Sequence, residues 1–261
     1  MKIAIYVAKI LVIKKYIMFN YLRKKFFNRM FIQQHFFKIY HNVFSKKNIK
    51  DLFDNGYSIH DEKFPFKEIN LNKYLKYSNY NFVMNKKKIE IVDLKKIYAI
   101  LFKLGVISLI KDYLGRRVYA YDNSVLTLGN KICNKDSMQP HHDSKFRRIK
   151  IYIWLNDKNI NTHPLYYLRK THKQIKNWDK YEETRFPNID EKKFDKVYGE
   201  KGSIIIFDTH GIHSHFKTTI IPRSVIELTF ESFGFFNRLN KKNIKDETIR
   251  LNLIDLDKLI H

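Results

Sequence analysis

Two short segments hold most of the residues in this chain that can do chemistry together. The first is Gln139-Pro140-His141-His142-Asp143-Ser144. The second is Gly202-Ser203-Ile204-Ile205-Ile206-Phe207-Asp208-Thr209-His210-Gly211-Ile212-His213, with Pro222-Arg223 just beyond. Two imidazoles and one carboxylate can occupy one face of an Fe(II) ion and leave the opposite face open, which is what oxygen chemistry needs. His141 and Asp143 stand two apart, so on an extended strand both side chains reach the same side, while His142 points the other way and is not expected to be a ligand. His213 comes 72 residues after His141 (213 − 141), behind a hydrophobic run and the word Asp-Thr-His-Gly-Ile-His. Arg223, ten residues further (223 − 213), opens another strand-like run. Its planar fork suits a carboxylate, the far end of a 2-oxoacid co-substrate. These residues predict a non-haem iron site with His141, Asp143 and His213 as metal ligands and catalytic centre, and Arg223 as the co-substrate anchor.

Seven of the eleven histidines fall between residues 141 and 215. His210 and His215 share the turn with His213 and read as either supporting donors or solvated side chains. His163 and His172 read as surface residues. Zinc also accepts two histidines and a carboxylate, so the metal is open on ligand type alone, although the His-Glu-x-x-His helix of many zinc hydrolases is absent.

The elements that must position these residues change character along the chain. Residues 1–50 read as helical, with apolar side chains interleaved with Lys and Arg and neither Pro nor Gly. Asp54-Asn55-Gly56 signals a turn. Residues 57–90 read as loops and short elements, and 89–104 as a helix, with Ile91, Leu94, Ile97, Leu101 and Leu104 at helical spacing. After Gly115 come short β-branched and aromatic runs at 118–121, 125–128, 149–155, 165–168, 203–207 and 225–230, separated by turn residues. Many short strands without long helices between them predict a jelly roll or sandwich. Residues 170–196 form a polar insertion of the kind that serves as a lid or substrate-binding element. From Asn240 onward a stripe of Ile249, Leu253, Leu256 and Ile260 predicts a terminal helix. The expected organisation is a helical region over 1–115 packed on the core, a catalytic core over 116–235 and a C-terminal helix over 236–261.

The chain has 261 residues, 44% of them hydrophobic and 15% aromatic, which excludes global disorder. A single cysteine, Cys133, excludes an internal disulfide and fits a reducing, cytoplasmic setting. The net charge of +24 raises a polyanion partner. Lys, Asn, Ile, Phe and Tyr are all abundant, however, a pattern that AT-rich codons also produce. The lysines are spread along the whole chain, so nucleic acid is not the expected partner. The apolar run at 3–13 is about half of the roughly twenty residues needed to span a bilayer and lacks a cleavage site. Residues 1–30 read as a helix packed on the core with a basic outer face. The other reading is peripheral contact with an anionic membrane.

The same words resemble the phytanoyl-CoA dioxygenase-like family of Fe(II)/2-oxoglutarate-dependent oxygenases. The resemblance lies in His141-His142-Asp143-Ser144, the strand 149–157 ending Leu-Asn-Asp, Pro164-Leu165-Tyr166-Tyr167-Leu168 with Thr171-His172-Lys173, and 202–230, with an echo at Asn55-Gly56-Tyr57. It covers about 116–232. It implies an α+β fold, a double-stranded β-helix (jelly roll) with flanking helices. It implies iron ligands at His141, Asp143 and His213, 2-oxoglutarate on Arg223, and Trp154 either as a wall of the co-substrate pocket or as a core residue. The chain departs from the family at Lys170-Thr171-His172, where Gly-Ser-His is usual, and at His142, where Arg or Gln is common. The carboxylate of Asp143 argues against the halogenase subset. The expected function is a dioxygenase that hydroxylates a small organic molecule, anionic if the basic surface serves it, with dioxygen, releasing succinate and CO2. The alternatives are a nucleic-acid-directed oxygenase or basic binding protein, and a jelly roll that keeps the motif without activity.

Overall fold

The structure, a computed structural model, describes residues 47–67, 69–75, 82–114, 118–129, 139–143, 148–156, 164–173, 185–215, 222–232 and 251–252. The chain divides into two compact units, residues 1–45 and 46–261. The first unit, with its expected basic helix, lies outside the described residues, so the account below concerns the second.

Helix α1 (Lys47–Asn55) buries Ile49 and Leu52. Gly56 ends it: its N–H donates to the Leu52 carbonyl at 2.9 Å and its φ of +90° turns the chain into β1 (Tyr57–Ile59). A side chain there would meet both a strained backbone and the Tyr167 hydroxyl. A short helix α2 (Asn72–Leu75) precedes β2 (Met84–Lys88). Helix α3 (Ile91–Lys103) buries Leu94, Ile97 and Leu101 of the expected stripe together with Tyr98, while Ile91 is exposed, and α4 (Val106–Leu114) follows after Gly105.

The strands form two antiparallel sheets. β3 (Val118–Leu128), β4 (Arg148–Trp154), β7 (Ile204–Asp208), β9 (Arg223–Ser232) and β10 (Leu251–Asn252) join β1 in the order β1-β7-β4-β9-β3-β10, with β2 also on β3. β5 (Leu165–Tyr167), β6 (Asp195–Val197) and β8 (His213–Ser214) make a smaller sheet in the order β6-β5-β8. Alternation along β4 sends Ile149, Ile151 and Ile153 to one face and Lys150, Tyr152 and Trp154 to the other. Helix α4 packs on β3, β4 and β9. Between the two sheets lies a core of Leu126, Tyr152, Trp154, Leu165, Tyr167, Ile205, Phe207 and Val225. Among the described residues no helix is long and apolar enough to cross a membrane.

Within 57–90, read as loops and short elements, β1 pairs with β7 and β2 with β3, where open sheet edges offer backbone hydrogen bonds. Two expectations are corrected. A terminal helix running through 251–252 is not formed: Leu251 and Asn252 pair with Ala120 and Tyr119 of β3, again at a sheet edge. The rest of that predicted helix lies outside the described residues. The stretch 170–196 is not one loop, since its described parts hold two 3-10 turns (Thr171–Lys173 and Glu191–Lys193) and strand β6.

Candidate metal centre

His141 and His213 are backbone partners. Each donates its N–H to the other's carbonyl, at 2.9 and 3.0 Å, in an isolated antiparallel bridge. The pairing puts the two side chains on one face, with ring centroids 4.5 Å apart. Asp143, two residues on from His141, turns Oδ1 toward them, 3.1 Å from His141 Nε2 and 3.6 Å from His213 Nε2. The ligand atoms of the three residues all lie within 4.8 Å of one another.

Hydrogen bonding holds this trio in an arrangement that could hold a metal ion. His141 Nδ1 lies 2.6 Å from the Gln139 carbonyl and His213 Nδ1 lies 3.0 Å from the Gly211 carbonyl. A carbonyl only accepts, so both Nδ1 atoms donate to it, and both Nε2 atoms face Asp143 Oδ1, where a metal ion would take their lone pairs. Burial, helped by His213, lowers the pKa of His141, which keeps it neutral. Burial would raise Asp143, but the Lys150 ammonium and the imidazoles of His213 and His141 outweigh it and hold the carboxyl well below its ordinary range. Two imidazoles and one carboxylate suit a divalent transition ion.

The turn that delivers His213 is locked from several sides. Asp208 Oδ1 accepts the His210 N–H at 2.9 Å and Oδ2 accepts the Tyr113 hydroxyl at 2.7 Å. The Asp208 carbonyl accepts the Tyr167 hydroxyl at 2.7 Å and the Gly211 N–H at 3.0 Å. Any side chain on Gly211 would collide with that tyrosine hydroxyl, so the glycine is needed for close approach. Thr171 Oγ1 accepts the Ile212 N–H at 2.8 Å. The Asp143 N–H donates to the Thr209 carbonyl at 3.1 Å, tying the first segment to the same turn.

Arg223 begins β9 and is fully buried. Its guanidinium lies 5.6 Å from the Tyr152 ring centroid and 5.1 Å from that of Trp154, and an NH2 group donates to His215 Nδ1 at 3.1 Å. Burial pulls its pKa down to about 10, so it stays charged near neutrality. His215 is held neutral, well below its ordinary value, by burial and by Arg223. Since His215 Nδ1 accepts, Nε2 carries the proton and donates to the Tyr152 hydroxyl at 3.2 Å, and that hydroxyl donates to Glu227 Oε2 at 3.0 Å. A cation held by two aromatic faces and a neutral imidazole makes a cradle for a carboxylate.

The structure thus brings His141, Asp143 and His213 together and places Arg223 against Trp154 and beside His215, two residues past His213. His142 is buried against Phe186 and His210, at 5.1 and 5.6 Å, away from the ligand trio. His172 is a correction: it is buried, and its Nε2 donates to the Phe53 carbonyl at 2.8 Å, pinning the 171–173 turn to α1. His163 lies outside the described residues. Sequence reasoning gave no role to Glu227, Tyr152 or Lys86. Period-two spacing was the available signal, since Lys150, Tyr152 and Trp154 alternate on β4 as Arg223, Val225 and Glu227 do on β9.

No family model matches the chain, and no curated protein does. Solved structures do. The epimerase SnoN in complex with Fe3+, alpha ketoglutarate and nogalamycin RO is 13% identical, covering 71% of this chain and 82% of its own, with a TM-score of 0.49. The alpha ketoglutarate dependent carbocyclase SnoK is 10% identical over 73% and 85%, with a TM-score of 0.48. HygX from Streptomyces hygroscopicus, with nickel, 2-oxoglutarate and hygromycin B bound, is 13% identical over 74% and 89%, with a TM-score of 0.48. At such identities function has to be read from the site's own residues.

Proposed function

We propose that this protein is an Fe(II)- and 2-oxoglutarate-dependent dioxygenase of the phytanoyl-CoA dioxygenase-like kind, hydroxylating a small organic molecule in the cytoplasm. The observation that carries the reading is the trio itself, with both Nδ1 atoms turned to backbone carbonyls and both Nε2 atoms turned toward Asp143 Oδ1. His141, Asp143 and His213 would hold the metal. Arg223 takes the far carboxylate of 2-oxoglutarate, with Trp154 as a wall of its pocket. Iron and 2-oxoglutarate together supply dioxygen activation, with succinate and CO2 as products and one oxygen atom going to a C–H bond of the substrate. The residues' work is orientation and exclusion of water. The backbone bridge fixes the imidazoles, and the aromatic walls keep Arg223 dry, where its charge acts with full strength.

The fold belongs to the same reading. Strand order supports a double-stranded β-helix whose main sheet runs β7-β4-β9-β3 and whose second sheet runs β6-β5-β8, extended by the bridge from β8 to His141. The catalytic core is then 116–235, with the preceding and following segments flanking it.

Anaerobic titration of the full chain tests the function. One Fe(II) per chain should bind, and 2-oxoglutarate should then add a weak visible charge-transfer band. Aerobic exposure should release succinate. Iron binding without 2-oxoglutarate binding or succinate release would leave a metal site without this activity and overturn the reading.

A further inference from the structure

We propose that Lys150 is a positioning residue for the metal ligand Asp143, and that Glu227 in turn positions Lys150. The inference rests on the metal centre proposed above and adds to it how its carboxylate is presented. Asp143 divides its two oxygens: Oδ1 faces the imidazoles, and Oδ2 lies 2.6 Å from Lys150 Nζ. Lys150 Nζ also lies 3.8 Å from Glu227 Oε2. Glu227 is fixed in its turn, with Oε1 2.5 Å from Lys86 Nζ and Oε2 accepting the Tyr152 hydroxyl at 3.0 Å.

The sheet sets this arrangement. Tyr152 faces Glu227 across the β4–β9 pair and Lys150 faces Thr229, so Lys150 and Glu227 are diagonal neighbours on the inner face. The Lys150 side chain is 14% exposed and the Glu227 side chain 2%. Such a buried ammonium is costly unless paired, and both of its carboxylate neighbours are on hand.

The consequence is geometric. A carboxylate with both oxygens available can swing onto a metal through two atoms and take a position from the open face. Lys150 occupies Oδ2, so Asp143 enters the metal shell through Oδ1 alone. A rival role is plain charge balance, in which Lys150 merely neutralises Asp143 until the metal arrives. The two roles predict opposite signs. Removing a mere neutraliser takes away a cation that repels the metal, so affinity should rise. Removing a positioning group costs affinity and changes the coordination.

Cobalt(II) serves as the probe, titrated into the full chain and followed by its visible absorption and by calorimetry. Lys150→Met should weaken Co(II) binding by roughly 10- to 100-fold, the usual cost of losing a hydrogen-bonding partner behind a ligand. Its bands should shift and weaken as Oδ2 joins the metal, and Lys150→Arg should restore most of both. Glu227→Gln should move affinity and bands in the same direction, less far. Unchanged or tighter binding with unchanged bands in Lys150→Met overturns the proposal. If Lys150→Met shows no cooperative melting, Glu227→Gln decides, and wild-type affinity and bands there overturn it as well. Failure of the metal centre is read separately, as wild-type chain that binds no Co(II) or His213→Ala that binds it equally well, and it takes both proposals down.

Discussion

His141 and His213 stand on backbone that is barely sheet, an isolated bridge against a strand two residues long, whereas Lys150, Tyr152, Glu227 and Arg223 stand on strands of seven and ten residues inside a seven-stranded sheet. The two regions solve the same positioning problem by different means. On the long strands, register alone decides which side chains meet: Tyr152 faces Glu227, and Trp154 faces Val225, two residues from Arg223. On the ligand side register is too short to do this. There each imidazole is fixed by a carbonyl two residues before it, and the turn 208–212 is fixed by Tyr113, Tyr167 and Thr171. The irregular region therefore depends on individual contacts, while the regular one spreads its geometry over many.

The largest expected effect breaks the irregular side directly. His141→Ala, Asp143→Ala and His213→Ala should each abolish measurable metal binding by calorimetry, whereas His142→Ala should bind metal normally, although it loses packing against Phe186. Metal loss in His142→Ala with retention in His141→Ala would put the ligand register one residue out.

Next comes the regular side. Arg223→Ala should weaken 2-oxoglutarate binding to the metal-loaded protein by about thirty- to a thousand-fold, from a charge-assisted contact of roughly 2–4 kcal/mol. Arg223→Lys keeps the charge without the fork and should fall between. Metal affinity should change little in either, and equal 2-oxoglutarate affinity in wild type and Arg223→Ala would remove Arg223 from the site.

A smaller effect probes the locks of the turn. Gly211→Ala forces a methyl group against the Tyr167 hydroxyl, and overpacking of this kind costs about 1–3 kcal/mol. Its melting temperature should drop and its metal affinity should fall with it. If Gly211→Ala proves as stable as wild type, the turn has slack that the close packing denies.

The smallest effect is a pH slope. The folded pKa values of His141 and His215 are lowered, so each contributes stability that is present above the ordinary imidazole value of about 6.5 and lost as pH falls below it. Asp143 and Glu227, also lowered, add stability that is lost only on acidification below about pH 4. Lys150, raised, adds stability lost only in strong alkali. The metal-free protein should therefore melt at lower temperature at pH 5 than at pH 7, and His215→Gln should flatten that slope. A melting temperature constant between pH 7 and pH 5 contradicts the buried, neutral imidazoles.

Much of this was legible in the sequence because the signals are local. The His-x-Asp spacing, the hydrophobic run before His213 and the strand opening at Arg223 each depend on a few neighbouring residues, and the described strands β4, β5, β7 and β9 fall where period and composition put them. The helix periodicity of Leu94, Ile97 and Leu101 was equally local. Other features depend on partners far along the chain. Lys150 reads from sequence as one more lysine in a chain of net charge +24, and only its diagonal placement beside Glu227, 77 residues on (227 − 150), makes it a buried group behind Asp143. His172 reads as a polar surface residue until α1 supplies the Phe53 carbonyl. The extended pair Leu251–Asn252 sits in a stripe with helical spacing, and the free edge of β3 decides otherwise. Composition and short-range spacing determined the types of the candidate ligands and the strand pattern, because one or two turns of chain suffice for them. Tertiary structure decided the burial and partners of each candidate ligand, because those depend on which distant strand lies alongside.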